Sequence, residues 1–388
     1  MSKTLSAIIA GGGLGGLATA AALAQRGWDV TVHERQSALR ASGSGIYIWE
    51  NGLRVLEALG ACDDAVRGAF EGRAFEQRDK HGVVIDSAPV GPGKRLITVK
   101  RSQLLDALRD AALRSGVKVV TSSEVIGATP RGELRFANGD VVRADLAVGI
   151  DGIWSRVREA LGLETFHQQT LEGALRTVIE RRPGDLPAED AGKYIENWNG
   201  ERRFLITPIN ETQIYLALTC PERDRAARDT HIDKALWSSA FPRWAHLIDR
   251  IGAEVSWGVY SIIQCSAWSA GRTAILGDAA HAQPPNLGQG GGMAMQNGLA
   301  LACALEGIGS AEAIPAALEA WEARERPLVD HCQKWSTLYG EVAFLPDDVR
   351  NATIRAAMSH PWVIEQINRA AHHVPTGTGE RARSVSPL

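Results

Sequence analysis

The chain opens with a change of hydrophobic period. Ser6–Ala10 is a short apolar run of the buried-strand kind, and a cluster of glycines follows it. Leu17–Arg26 is alanine-rich and reads as a helix, with Gly27 placed to end it. Asp29–His33 reads as a second strand and leads into Glu34, so the opening predicts a βαβ unit. Asn51–Leu59 reads as a helix. Phe70–Lys94 holds strand-like pieces broken by Gly and Pro. In Ser102–Arg114, Leu104, Leu105, Leu108 and Leu113 form one apolar stripe of a helix. Val117–Thr121 and Leu146–Ile150 read as strands, and Leu134–Val142 as a hairpin about Asn138-Gly139.

From Leu171 to Trp268 the pattern changes to alternation. Tyr194–Trp198, Arg203–Thr207 and Gln213–Thr219 read as strands, with turns at Asn199-Gly200 and Asn210. This predicts an antiparallel sheet inserted into the first domain. Thr273–Leu276 resumes the buried-strand pattern. Met293–Leu305 and Ala311–Arg326 read as helices, with Pro327 expected to interrupt the second. From about Pro375 the composition predicts a loose tail.

Composition narrows the class only modestly. The 388 residues are 45% hydrophobic and 22% charged, with a formal net charge of -3, which fits a soluble globular protein of about two domains. No basic excess points to nucleic acid or to an anionic membrane. Five scattered cysteines show no paired or metal-ligand spacing, so reduced thiols, no metal and a cytoplasmic location are expected. The uncharged run Leu5–Ala24 is long enough to span a bilayer, but its glycine cluster fits a ligand-binding turn better than a lipid-facing helix.

That turn is the first candidate site. Gly11, Gly13 and Gly16 stand in the GxGxxG spacing, with Leu14 and Gly15 inside it. The spacing permits a tight turn, close approach to a pyrophosphate, and a helix N-terminus aimed at it. Glu34, with Arg35 beside it, ends the second strand where a carboxylate can accept from a ribose hydroxyl. By itself the motif leaves NAD and FAD open. A second segment resolves this: Gly277-Asp278-Ala279-Ala280-His281, then Pro284-Pro285, then Gly288 and the run Gly290, Gly291, Gly292 leading into Met293. Its Asp suits a polyol hydroxyl, and its glycines offer bare N–H groups to a phosphate or a flavin carbonyl. Two such loops about 260 residues apart point to one long ligand, FAD. Asp151-Gly152, followed by Ser155 and Arg158, and Arg101 before the third helix are weaker cofactor candidates.

These pieces together resemble the class A flavoprotein aromatic hydroxylases of the p-hydroxybenzoate hydroxylase fold. The matching stretches are GGGLGG with Glu34, Arg101, DGIWSRVR from Asp151, and GDAAHAQPPNLGQGGGMAMQNG from Gly277. The likeness runs in order along nearly the whole chain. It implies an α/β fold: a Rossmann-like FAD-binding domain (1–72, 96–165 and 270–330), an inserted, mainly antiparallel substrate-binding sheet (73–95 and 166–269), C-terminal helices (331–374) and the tail (375–388). It implies Glu34 on the adenosine ribose, Asp278 on the ribityl chain, Asp151-Gly152 serving FAD and the nicotinamide cofactor, and Pro285 near flavin and substrate.

Within that family, LRASGSGIYIWENGLRVLEALGACDD from Leu39 and RFLITPINETQIYLAL from Arg203 look most like pyridine-ring monooxygenases. By that likeness Tyr47, Arg203 and Tyr215 fall at substrate-pocket positions. Phe75 stands where that group carries a pocket tyrosine, and the loop at Pro285 is richer in glycine, two departures that bear on the substrate. The chain has one dinucleotide fingerprint, so the reductant is expected to dock transiently, NADH in preference to NADPH. The resemblance implies hydroxylation through a flavin C4a-hydroperoxide, with decarboxylation or ring opening as variants and a phenolic substrate or direct hydride removal as rivals. Tyr215 and Tyr47 are the candidates to contact a ring hydroxyl, and Arg203 to hold a substrate carboxylate. Each also has a plain reading, as a packed sheet tyrosine or a solvated charge. His281 is expected to be structural. A small aromatic substrate and O2 are the expected partners, with the chain a monomer or homodimer.

Overall fold

The structure, a computed structural model, describes residues 4–40, 44–252 and 255–379. Its centre is a six-stranded sheet. Ser6–Ala10 lies between Leu146–Gly149 and Asp29–His33, all parallel, with Lys118–Val120 beyond Asp29–His33 and Thr273–Ile275 beyond Leu146–Gly149. Short Ser269–Ala270 closes that edge antiparallel. The strands are apolar on both faces, as strands covered on both sides must be. Ile9, Val32, Leu146 and Ile275 are essentially inaccessible. The helix Leu14–Ala24 packs against Gly290–Ala304 and Arg101–Arg114, and it is buried from Leu14 to Leu23. An apolar surface that continuous explains why its residues mimic a membrane segment. Among the described residues no helix is long and apolar enough to cross a bilayer.

The carboxyl ends of four of these parallel strands point the same way. They deliver Gly11, Glu34, Ile150-Asp151 and Gly277-Asp278 to one crevice, the position where open α/β sheets bind ligands.

A seven-stranded sheet stands across that crevice. Its order is Ser256–Cys265, Glu164–Glu180, Gln213–Pro221, Arg202–Pro208, Lys193–Asn199, Ala74–Asp79 and Val84–Pro89. Period-two alternation splits its residues cleanly. Phe204, Ile206, Ile214, Leu216 and Leu218 face outward, into a core closed by Trp237, Phe241, Trp244 and Leu247 from the short helices after Asp233. Arg203, Leu205, Tyr215, Ala217 and Thr219 face the crevice. Arg202, one residue from Arg203, turns to the outer face, where it pairs with Asp224 at 2.7 Å and lies over the Trp237 ring.

Several expectations change. The 17-residue strand Glu164–Glu180 was not legible, because a bulge between Gln169 and Gly173 breaks its alternation. The helices after Asp233 were not read either. The expected break at Pro327 is absent: one helix runs from Ile314 to Glu341 with Pro327 inside it. Proline costs that helix a hydrogen bond, but Leu318, Trp321, Val329, Cys332 and Ser336 bury one face of it along its length, and this packing outweighs the local defect. The helix read from Met293 begins three residues earlier, at Gly290. The start of the tail is anchored rather than loose. Thr376 Oγ1 donates to Glu325 Oε1 at 3.0 Å, and Arg54 reaches the Gly379 carbonyl at 3.2 Å. The rest of the tail lies outside the described residues.

Candidate active site

One cavity of about 1220 Å3 runs between the two sheets. That exceeds the ~300–1,000 Å3 usual for a single drug-sized ligand. Its lining collects Gly11, Gly13, Leu14, Gly15, Glu34, Arg35, Arg101, Asp151, Gly152, Gly277, Asp278, Pro285, Gly288, Gly290 and Gly291 from every cofactor motif read in the sequence.

The local geometry explains the residue types. Gly11 has φ +106°, and a Cβ there would stand 2.3 Å from the Ile150 carbonyl oxygen. Gly13 has open space where its side chain would be. Gly16 is different: its Cβ would lie 2.0 Å from the Gly11 oxygen, so it serves helix–strand packing and does not line the cavity. Gly292 and Met293 also sit off the lining, and Met293 is buried in the core. Glu34 accepts from Gly12 N at 3.0 Å and Gln36 N at 2.9 Å, which fixes its carboxylate at the end of its strand.

Asp151 spends its carboxylate on the chain itself. It accepts from Ser155 Oγ at 2.5 Å and from the Arg156 and Val157 N–H groups, while Ser155 Oγ caps the following helix by accepting from Arg158 N at 3.0 Å. Buried Arg158 then binds the carbonyls of Ile153 and Ala279 at 2.6 and 2.7 Å and the Glu164 carboxylate at 2.8 Å. This one side chain ties the Asp151 turn to the Asp278 loop.

The cavity has the features that FAD needs. Two helices, Leu14–Ala24 and Gly290–Ala304, start at it without a side-chain cap, so bare N–H groups and two positive dipole ends face the lumen. The Asp278 carboxyl opens into the lumen with no hydrogen bond from any described residue, and the surrounding protein raises its pKa by desolvation, against the pull of Arg101. Donors for phosphate or flavin carbonyl and an unspent carboxylate for a polyol are what FAD requires. The residues fit it.

The other end of the cavity carries an aromatic wall. Trp49 stacks on Phe75 at 5.9 Å, and Tyr47 lies 5.9 Å from Phe75 and 5.2 Å from Tyr194. The Gly288 turn touches this wall: a Cβ there would be 3.2 Å from Trp49 Nε1 and 3.3 Å from Tyr47 Cβ. Tyr47 Oη forms a very short hydrogen bond with Thr207 Oγ1. Tyr215 packs under Gly45, where a Cβ would meet its ring at 2.7 Å. Burial raises the pKa of Tyr47 and Tyr215, the latter against the favourable Arg176 charge, so both are hydrogen-bond donors rather than bases.

Arg203 does not face the cavity as a free cation. Its Nη2 donates to both Glu172 oxygens at 2.7 Å, and its Nη groups also reach Asn286 Oδ1 at 3.1 Å and Glu196 Oε1 at 3.3 Å. A substrate carboxylate placed there would meet two glutamates, which weighs against the carboxylate-holding role expected of Arg203. The guanidinium on this wall without an ion pair among the described residues is Arg176, 5.3 Å from the Tyr260 ring and diagonal to Tyr215 in the sheet. Sequence reasoning missed Arg176, Tyr260, Glu196, Asn286, Gln77 and Tyr339. Asn286 had a signal, since it follows Pro285 directly. Arg176 lay in the unread strand, and Tyr339 arrives from the helix expected to stop at Pro327.

His281 is not on the cavity. It is buried against Trp268, 3.0 Å from Asn297 Nδ2, and burial pushes its pKa down to about 4. Among the described residues no group of three His, Cys, Asp or Glu side chains gathers as a metal site, and the five cysteines are unpaired.

Comparison with known proteins agrees with this geometry. The FAD-binding domain family pattern matches residues 4–336. A Rhodococcus erythropolis protein provisionally assigned as a 2-heptyl-3-hydroxy-4(1H)-quinolone synthase is 42% identical over 371 residues, covering 95% of this chain and 96% of that one. The 2-heptyl-3-hydroxy-4(1H)-quinolone synthase of Mycobacteroides abscessus is 37% identical over 352 residues, covering 90% and 93%. The crystal structure of a mutant 2-methyl-3-hydroxypyridine-5-carboxylic acid oxygenase superposes with a TM-score of 0.86 at 36% identity, covering 96% and 98%. The glycine turns that frame one cavity and the matches that run the length of the chain have the same explanation: the protein belongs to the FAD-binding domain family, as a class A FAD-dependent monooxygenase.

Proposed function

We propose that this enzyme hydroxylates an N-heteroaromatic ring bearing a hydroxyl or oxo group, a pyridine or its benzo-fused quinolone counterpart, using NAD(P)H and O2. One oxygen atom enters the ring and the other leaves as water; NAD(P)H supplies the two electrons. Bound FAD supplies the redox and oxygen-activating chemistry, and the chain supplies position, dryness and charge. The observation that carries the reading is the contact of Gly288 with Tyr47 and Trp49, which sets a flat aromatic wall directly against the flavin-side glycine turn.

Around that site, the residues hold the ring rather than oxidise it. The Tyr47, Phe75 and Trp49 rings provide a face for stacking. Tyr215 and Arg176 offer hydrogen bonds to a ring oxygen as its charge grows. Two forms of the substrate have support. A quinolone with an apolar tail fits the paired state of Arg203, the apolar lining at Met358, Ile364 and Ile367, and the two quinolone synthase relatives. A hydroxypyridine acid fits the uncompensated Arg176 and the pyridine oxygenase likeness.

The test is reductant oxidation by the purified holoenzyme, with 2-heptyl-4(1H)-quinolone and with 2-methyl-3-hydroxypyridine-5-carboxylate. Stimulated NADH oxidation is expected, faster than with NADPH, with one O2 consumed per NADH. Product mass spectra separate hydroxylation (one oxygen gained) from oxygen gain with CO2 loss and from ring opening (two oxygens gained). Flavin reduction by the ring compound alone would instead make the enzyme an oxidase or dehydrogenase.

A further inference from the structure

At the polar end of the aromatic cavity one guanidinium, Arg203, is shared between two carboxylates. Arg203 gives its short, two-oxygen contact to Glu172, which lies behind the wall and is only 4% exposed. Glu196 receives one longer contact, at 3.3 Å. A single guanidinium therefore faces two carboxylates, and the second of them lines the cavity. Glu196 is held in place from three sides: Tyr339 Oη donates to Oε2 at 2.5 Å, Gln77 Nε2 to the same oxygen at 3.4 Å, and Arg203 to Oε1. Arg203 also binds Asn286, next to Pro285, so this carboxylate adjoins the loop that carries the flavin-side turn.

We propose that Glu196 takes the proton from the hydroxyl or N–H of the substrate ring in the reaction inferred above, on which this proposal rests. In that step the ring O–H or N–H bond breaks. Its electron pair stays on the ring and raises electron density at the carbon to be oxygenated, and the proton bonds to a Glu196 oxygen. The charge count of the site does not change, because the negative charge moves from the carboxylate to the ring while Arg203 and Arg176 remain beside it. When the oxygenated carbon loses its own hydrogen as a proton, which goes to the second oxygen atom as that leaves as water, the ring regains aromaticity and the Glu196 proton restores the ring O–H or N–H.

The other candidates on the wall serve this step less well. Tyr47, Tyr215, Tyr260 and Tyr339 are all pushed up by burial and hold their protons. Asp278 belongs to the cofactor end. The charged or titratable groups around Glu196 are Arg203 from the adjacent strand, Glu172 and Tyr260 from strands farther along the same sheet, Tyr339 from the long helix, Tyr47 beside the Gly288 turn, and Asp86 opposite Gln77 on the edge strand.

The experiment compares wild-type holoenzyme, Glu196→Gln and Tyr339→Phe, each with both ring compounds, over a pH series. Far-UV circular dichroism and FAD content establish that each variant is folded and loaded, and perturbation of the flavin spectrum measures ring binding. The expected result is E196Q that binds the ring within a few-fold of wild type but turns over roughly 10²–10⁴-fold more slowly, the range of general-base contributions. The acid limb of the wild-type profile disappears with it. Tyr339→Phe keeps the carboxylate but removes one of its three hydrogen bonds, so it retains an acid limb and turns over at a rate between E196Q and wild type. A merely structural role for Glu196 would leave the acid limb in E196Q as well. E196Q that is folded and loaded, with near wild-type turnover or an unchanged limb, overturns the proposal alone. Wild-type enzyme that oxidises NADH with neither ring overturns the substrate reading and this proposal with it.

Discussion

Two glycines of the same turn do different work. At Gly11 a methyl group faces both a left-handed backbone and a carbonyl oxygen 2.3 Å away. At Gly13 the backbone is ordinary (φ -78°) and the methyl would project only into the cavity. Gly11→Ala is expected to lose FAD and also to destabilise the apoprotein, since left-handed backbone alone costs an L-residue about 1–2 kcal/mol. Gly13→Ala is expected to lose FAD affinity while the apoprotein melts as wild type does. Flavin-to-protein absorbance after gel filtration and the melting of the stripped proteins read the two effects separately. Full FAD retention by Gly11→Ala would contradict the assignment. The spacing alone marked both glycines as ligand-facing; only the neighbouring strand end, Ile150, separates them.

At the scale of elements, local rules held where packing and propensity agreed. The alternation of Arg203–Thr207 and Gln213–Thr219 separated the two faces correctly, and the family resemblance implied that the face with Arg203 and Tyr215 is the cavity side, where both lie. The rules failed at Pro327, where burial of one long face overrides a local breaker. That conflict is measurable. Pro327→Ala restores a backbone donor in mid-helix, and the substitution is expected to stabilise the enzyme by about 1–2 kcal/mol, below the ~3 kcal/mol of an exposed helix proline because alanine loosens the unfolded chain. Urea unfolding checks it, and a lower stability would mean that the proline conformation is itself required. The continuous helix matters for function because its far end brings Tyr339 to Glu196.

At the scale of the molecule, two sheets with separate cores enclose one cavity, so a titrating group buried in one core acts on the stability of the whole. His281 is the clearest case. Its folded pKa of about 4 lies below the unfolded value of 6.5, so the unfolded chain binds a proton that the native chain refuses. Stability is full above about pH 6.5 and falls as the pH drops toward 4, by about 3 kcal/mol from this group at 1.36 kcal/mol per pH unit. His281→Asn is expected to flatten that part of the profile in unfolding measured at pH 7 and pH 4.5, and identical slopes in the two proteins would count against it. A related oxygenase is known in a tetrameric form; light scattering of the holoenzyme tests the monomer or homodimer expected here.

The sequence by itself determined the cofactor and the class of chemistry. Glycine turns, strand-end carboxylates and their order along the chain are local features, required wherever backbone must approach a phosphate or a polyol closely. The same locality gave the βαβ opening and the inserted sheet. What the sequence could not decide was which charges are free. Arg203 looked like an anion clamp until the fold brought Glu172, Glu196 and Asn286 around it from three other segments, while Arg176 and Glu196 gained their places on the cavity wall by strand pairing. A charge's role depends on its partners in space, and those of Arg203 lie 7, 31 and 83 residues away in the chain, brought together by strand pairing and loop placement that no local pattern gives.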